Sequence, residues 1–333
     1  MKGSHHIIIE SARLRYEFDI KRNITIIQGD SATGKTTLIE LLFDYRNGRK
    51  NGPVRIEADV PCEVFAGAGD RWREMLTLIE DSIVFIDEEN RFIRSKEFAE
   101  AVKNSTNYFV LITRESLPAL PYSINEIYGI RTSGKYHFPE KVYHEFYPIY
   151  GKLPEQSAGT KEVVIMITED SGSGNQFFNS FFVNNGNCIS AEGNSRVYST
   201  MRKQDVGRFL SVVADGAAFG AFVARVIEYA RKRGKTLIYL PESFEWLLLK
   251  SGVVTDKEII KILEHPETYI DSSKYMSWEQ FFTELLENTT KEEIAKHYQK
   301  SKLPPYYISD SIRAKVLQIL PDELRHILEI KND

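Results

Sequence analysis

Gly29-Asp30-Ser31-Ala32-Thr33-Gly34-Lys35-Thr36 has the spacing G-x-x-x-x-G-K-[ST], and that spacing suits one chemistry, the cradling of a nucleotide's phosphates. A glycine-bounded turn lets successive backbone N–H groups converge on phosphate oxygens, and the following helix adds the partial positive charge of its N-terminus. Lys35 is placed to reach the β- and γ-phosphates, Thr36 to ligate Mg2+ through its hydroxyl, and Thr37 to contact the α-phosphate.

Two further groups of residues could complete that chemistry. The apolar run Ser82-Ile83-Val84-Phe85-Ile86 ends in Asp87-Glu88-Glu89, as a Walker B strand does, and a buried strand holds a carboxylate rigidly at the carboxyl edge of a parallel sheet. Asp87 would take the Mg2+ side and Glu88 would orient or deprotonate the attacking water. The competing reading is a solvated helix start, because acids favour a first helical turn and Asn90-Arg91-Phe92 follows. The run Tyr108-Phe109-Val110-Leu111-Ile112 ends in Thr113-Arg114-Glu115. Thr113 is the candidate γ-phosphate sensor, and a lone Arg such as Arg114 at a strand end is more often an ion-pair partner than an arginine finger.

The elements that must position these residues are legible around them. Asn23 to Ile27 is a short β-branched run before the loop, and Thr37 to Phe43 reads as a helix after it. With the strand pair expected from Ile7-Ile8-Ile9 and Arg15 to Ile20, the first half resembles the P-loop NTPases, and within them the ABC/SMC/OLD-like ATPases, over roughly residues 5 to 130. The resemblance implies a parallel-sheet NTPase domain over 1–150, with ATP and Mg2+ as cofactors. ATP is the default nucleotide, because no guanine-specific Asn-Lys-x-Asp element is evident. The chain departs from the pattern in one respect: no LSGGQ-type signature stands between the two Walker elements, which are only about fifty residues apart.

A polar segment, Tyr150 to Thr160, contains Pro and Gly, lacks periodicity and marks a domain boundary. After it, strands are expected over Glu162–Thr168, Asn187–Ser190, Arg208–Ala214 and Thr236–Leu240. Helices are expected over Gln176–Val183, Ala217–Arg233 and Ser243–Lys250. Such alternation implies a parallel sheet with right-handed crossovers. Its acids fall at carboxyl edges: Glu169-Asp170, Asp215, and Glu242 with Glu245. Carboxylates gathered there could hold divalent ions for in-line attack on a phosphodiester. The segment 161–250 resembles a Toprim domain, whose pattern is a Glu after the first strand and Asp-x-Asp after a later one, with Glu169 and Asp215 at the matching positions. Asp215 is followed by Gly216-Ala217 and not by a second carboxylate. A Toprim-like or Rossmann-like sheet without a catalytic metal therefore stands beside the nuclease reading. Gly172-Ser173-Gly174 before a helix could bind an anion, although such a stretch is usually only a turn.

From Ser251 to 333 the chain reads as a helical extension packed on the second domain, with Ile259, Ile260, Ile262 and Leu263, then Trp278, Phe281, Phe282, Leu285 and Leu286, at helical spacing as core positions. Tyr298, Lys300, Lys302, Pro304, Pro305, Tyr306 and Tyr307 interleave bases with aromatics, which could stack on nucleic acid but more often pack a Pro-containing connection. From Arg196 to Lys235, nine basic residues face three acids, a local patch in a chain whose net charge of −4 argues against uniform coating of nucleic acid. The competing reading is that Arg231-Lys232-Arg233 before Gly234 complements a helix C-terminus.

Cys62 and Cys188 lie far apart, so neither a disulfide framework nor a Cys-ligated zinc site is expected. No run is long enough to span a membrane, Met1–Glu10 lacks a signal-peptide core, and a cytoplasmic setting is the simplest. His5-His6 resembles a tag remnant and is left out of the expected fold. The family resemblance implies a Mg2+-dependent ATPase whose second domain acts on or senses DNA or RNA, and a homo-oligomer. Two alternatives stay open: a nucleotide-gated scaffold with a degenerate second domain, and a P-loop kinase.

Overall fold

β-branched and aromatic runs form the strands of the first unit: β1 His5–Glu10, β2 Leu14–Ile20, β3 Ile24–Ile27, β4 Arg55–Glu57, β5 Cys62–Phe65, β6 Ile83–Asp87, β7 Tyr108–Ile112, β8 Ile127–His137 and β9 Lys141–Pro148. The computed structural model describes residues 1–29, 34–48, 53–65, 69–137, 140–153, 163–182 and 187–330. Among the described residues these strands form one sheet in the order β4-β1-β2-β9-β8-β3-β7-β6-β5. From β3 to β5 every neighbouring pair is parallel, whereas β1 pairs antiparallel with β2 and with β4, and β8 with β9. Burial explains the difference in sequence pattern. β3 and β7 are buried at every position, the continuous apolar run of a sheet covered on both faces, while β2 alternates buried and exposed residues. The core beneath the sheet joins Ile7, Ile9, Phe18 and Ile27 to Leu38 and Leu42 of the helix Lys35–Gly48.

The histidine pair belongs to the first sheet. His5 and His6 open β1, where the buried ring of His5 lies 2.9 Å from Asp59 and edge-on to Tyr108, and His6 lies 2.8 Å from Asp19.

The chain divides into two units, Met1–Gly151 with His265–Met276, and Lys152–Glu264 with Ser277–Asp333. The region after 251 is therefore not one continuous extension of the second unit. Residues 265–276 return to the first, where Gly3 N–H donates to the Glu267 carbonyl at 2.7 Å and Asn23 Nδ2 donates to the Met276 carbonyl at 3.2 Å.

In the second unit β10 Val164–Thr168, β11 Cys188–Ser190, β12 Phe209–Val213 and β13 Thr236–Tyr239 form a parallel sheet in the order β11-β10-β12-β13. β10 and β12 are buried throughout. Helices Ser173–Asn179, Gly220–Arg233 and Phe244–Lys250 follow β10, β12 and β13. The helix expected from Gln176 begins three residues earlier, at Ser173, and the one expected from Ala217 begins at Gly220 after a 3-10 turn over Gly216–Ala218. The strand after β10 adds on one side of it and β12 on the other, so the direction of winding reverses between β10 and β12. In an open α/β sheet, that reversal leaves a crevice at the carboxyl ends of the strands.

Candidate functional site

Each unit gathers polar residues at the carboxyl edge of its parallel strands. In the first, β3 ends at Ile27 and Gln28 N–H donates to the Tyr128 carbonyl at 2.8 Å, which fixes where the chain leaves the sheet. The chain re-enters regular structure at Gly34, whose φ of +95° lies in the left-handed region that favours glycine. An added Cβ there would lie 3.0 Å from the Tyr16 hydroxyl. That hydroxyl donates to the Gly34 carbonyl at 2.9 Å, and the buried Tyr16 ring stacks on His144 with centroids 4.5 Å apart. Leu38 N–H donates to the same carbonyl at 2.9 Å and closes the first helical turn. The Lys35 side chain is buried, and its ammonium donates to the Gly29 carbonyl, so it spans the two glycines that bound the loop. Asp30, Ser31, Ala32 and Thr33 lie outside the described residues. Thr36 is exposed and Thr37 half-buried on the first turn, which carries no acid to compete with a bound anion.

Asp87 closes β6 in register with Ile112 of β7, and β7 lies between β6 and the loop strand β3. The Asp87 carboxylate accepts from Asn90 Nδ2 at 2.8 Å and from Glu89 N–H at 3.2 Å. Glu88 accepts from the Arg114 backbone N–H at 3.1 Å and pairs with its guanidinium at 3.4 Å. Arg114 is thus an ion-pair partner in this structure, and its partner is the acid assigned to the attacking water. Thr113 is fully buried, and its hydroxyl accepts from Glu115 N–H at 3.1 Å.

In the second unit, Glu169 and Asp215 leave the adjacent strands β10 and β12, which are parallel and in register up to Thr168 and Val213. Glu169 accepts the Asp215 N–H at 2.9 Å, and Asp215 in turn accepts the N–H of Phe244, first residue of its helix, at 3.0 Å. Glu169, Asp170, Asp215 and Glu245 line one cavity of about 20 Å3, with Gly174, Phe178 and Phe244 among its apolar walls. Glu242, the other acid after β13, does not line it.

Two residues that sequence reasoning did not assign to this edge complete it. Glu279 sits on the helix Trp278–Thr290, and Lys300 follows that helix in an irregular connection. The Lys300 ammonium donates to Glu279 and lies 3.8 Å from Glu245. Glu245 is 1% exposed and accepts from the Tyr298 hydroxyl at 2.6 Å. Burial, with Glu279 and Asp170 nearby, pushes the Glu169 carboxyl up to about 8, against the pull of the Asp215 N–H and of Lys300. Burial and the charges of Glu279, Glu169 and Glu245 push Asp215 well above the usual carboxylate range, and burial raises Asp170. The neighbouring carboxylates, Glu245 and Glu279 foremost, hold Lys300 above its ordinary value against the opposing effect of burial. Among the described residues, no group of three or more His, Cys, Asp or Glu side chains is placed to hold a metal ion.

The basic run from Arg196 to Lys235 resolves into distinct roles. Arg233 is structural, donating to the carbonyls of Asp205 at 2.7 Å, Arg208 at 2.6 Å and Lys235 at 2.9 Å. Arg202, Lys203, Arg208, Arg225 and Arg231 are exposed. Tyr298 and Tyr307 are fully buried, so of the aromatic and basic cluster near residue 300 these two rings pack in the core and are not presented for stacking. Among the described residues, no helix is long and apolar enough to cross a membrane. No family model matches this chain, and comparison with the curated proteins finds no match.

Proposed function

We propose that this α/β chain is a Mg2+-dependent ATPase of the P-loop type whose second, Toprim-like unit acts on or senses nucleic acid, in phage defence or the biology of mobile elements. One observation carries the nucleotide reading: the buried Lys35 begins a helix directly after the positive-φ Gly34, beyond the carboxyl end of the interior strand β3, with its ammonium folded back on Gly29. A lysine so placed exchanges a carbonyl for a phosphate oxygen without leaving its pocket, and the acid-free first turn of the helix receives the charge.

Thr36 and Asp87 offer the hard oxygen donors that Mg2+ takes. When bound, Mg2+ supplies charge neutralisation on the phosphate oxygens. Glu88 orients the attacking water and takes its proton, which requires it to give up Arg114. Thr113 senses the γ-phosphate by turning its hydroxyl proton from the Glu115 carbonyl to a phosphate oxygen. The test is hydrolysis of ATP and of GTP by the purified chain, with and without DNA and RNA, with Lys35→Ala as control. Turnover stimulated by nucleic acid and lost in Lys35→Ala is expected; turnover retained in Lys35→Ala refutes the proposal.

A second reading, a nucleotide-gated scaffold, is favoured by one feature of the second unit. Its acids are already met by a lysine and by backbone N–H groups. A partner recovered only in the presence of ATP, with no nucleic-acid effect on turnover, would select it.

A further inference from the structure

We propose that the Lys300 ammonium, held between Glu279 and Glu245, is the resident cation of the carboxylate edge in the second unit, so that this edge takes no divalent ion. The inference is independent of nucleotide binding by the first unit.

The position of Lys300 is held by a dense set of bonds. Ser173 N–H donates to the Lys300 carbonyl at 2.9 Å, Gln176 Nε2 to the Ser301 carbonyl at 3.2 Å, and Leu303 N–H to Gln176 Oε1 at 2.9 Å. Tyr298 donates its N–H to Thr290 at 2.9 Å, and its hydroxyl lies 2.5 Å from Ser173 while donating to Glu245. The Gly172-Ser173-Gly174 turn belongs to this clamp. A Cβ on Gly172 would meet the Lys300 carbonyl oxygen at 2.6 Å, so glycine is what lets the connection approach the end of β10. The turn therefore receives a segment of its own chain and not an external anion.

The acceptor atoms are distributed in the same sense. Mg2+ or Mn2+ asks for several oxygens converging in an octahedron. Here one oxygen of Glu169 takes the Asp215 N–H, one of Asp215 takes the Phe244 N–H, one of Glu245 takes the Tyr298 hydroxyl, and one of Glu279 takes Lys300. The second oxygen of Glu245 is buried with no hydrogen-bond partner, and Glu245 borders the cavity of about 20 Å3. That space suits one water, which would satisfy it. Lys300 also lowers the proton affinity of Glu169, Asp170 and Asp215, so its field reaches the acids after both β10 and β12.

The experiment is a Mn2+ titration of the nucleotide-free full-length chain, followed by the electron paramagnetic resonance of free Mn2+. Asp87→Asn serves as background, so that the first unit's carboxylate does not contribute. With Lys300 intact, no saturable binding is expected below about 1 mM. Lys300→Met keeps the alkyl stem without the charge and should gain one Mn2+ site at least about tenfold tighter, lost again when Glu279→Gln is added. Lys300→Arg restores the charge and should bind none, and it serves as the folded comparison if Lys300→Met does not fold. Saturable Mn2+ binding with Lys300 intact that Glu169→Gln or Asp215→Asn removes would overturn the proposal. So would a folded Lys300→Met that binds no Mn2+.

Discussion

The carboxyl edge of the first unit and that of the second are built alike and partnered differently. Each follows buried parallel strands, and each collects carboxylates where helices begin. In the first, among the described residues, Asp87 and Glu88 are engaged by residues close to them on the strand ends, and Thr36 is exposed. In the second, Glu169, Asp215, Glu245 and Glu279 are met by backbone N–H groups, a buried tyrosine and a lysine from a distant part of the chain. Partners that an incoming ligand can displace leave an edge ready for chemistry; partners locked by the fold make it a structural joint. A sheet edge rich in acids is therefore not evidence of metal chemistry until the partners of each oxygen are known.

The largest effect that tests this contrast is Lys35→Ala. It should weaken ATP binding by at least about a hundredfold, measured with a fluorescent nucleotide, because a charge-assisted contact to phosphate is lost; unchanged affinity would leave the first edge without a ligand. Glu88→Gln should keep affinity within about twofold and slow turnover by roughly a hundredfold. Single-turnover rates with wild-type speed would remove Glu88 from its place beside the water.

On the second edge, Gly172→Ala should cost about 1–3 kcal/mol, because a methyl group must push the Lys300 connection away. The urea midpoint of the second unit should fall while nucleotide binding stays unchanged, and an unshifted midpoint would show that the clamp is slack. pH gives a subtler test. A carboxyl raised in the folded state to about 8 holds a proton that the unfolded chain has released, so stability is greatest at low pH and is lost as pH rises from about 5 through 8. Asp215 acts in the same direction. Glu169→Gln should flatten that slope in thermal melts, and an equal slope in wild type and variant would contradict the assignment. The smallest effect is expected from Arg114→Ala, an exposed pair worth under about 1 kcal/mol. It should leave stability unchanged, and it tests whether freeing Glu88 alters turnover at all.

Much of the framework was legible locally. The strand before Gly29 and the helix after Gly34 follow from β-branched residues, glycines and apolar spacing; the expected strand 208–214 exceeds β12 by one residue at each end, and 236–240 exceeds β13 by one at its C-terminal end. What escaped is non-local. His5-His6 looked like an appendage because two histidines carry no strand signal by themselves, yet pairing with β2 across the sheet fixes them. Residues 265–276 carry no mark of the unit they join, since that choice is made by hydrogen bonds to Gly3 and Asn23, more than 200 residues away along the chain. Lys300 and Glu279 are ordinary exposed-type residues in the sequence, and only the clamp brings them to an edge whose strands end well before them in the chain.

The sequence by itself determined the phosphate-loop spacing, the strands that carry Asp87, Thr113, Glu169 and Asp215, and the placement of those residues at strand ends, because turn chemistry and hydrophobic period act over a few residues. The tertiary structure alone decided which oxygen meets which donor: that Tyr16 braces Gly34, that Arg114 holds Glu88, and that Lys300 reaches the acids of the second sheet. Hydrogen bonds and ion pairs form between groups that folding brings within about 3–4 Å, and that proximity is a property of the packed chain and not of any one segment.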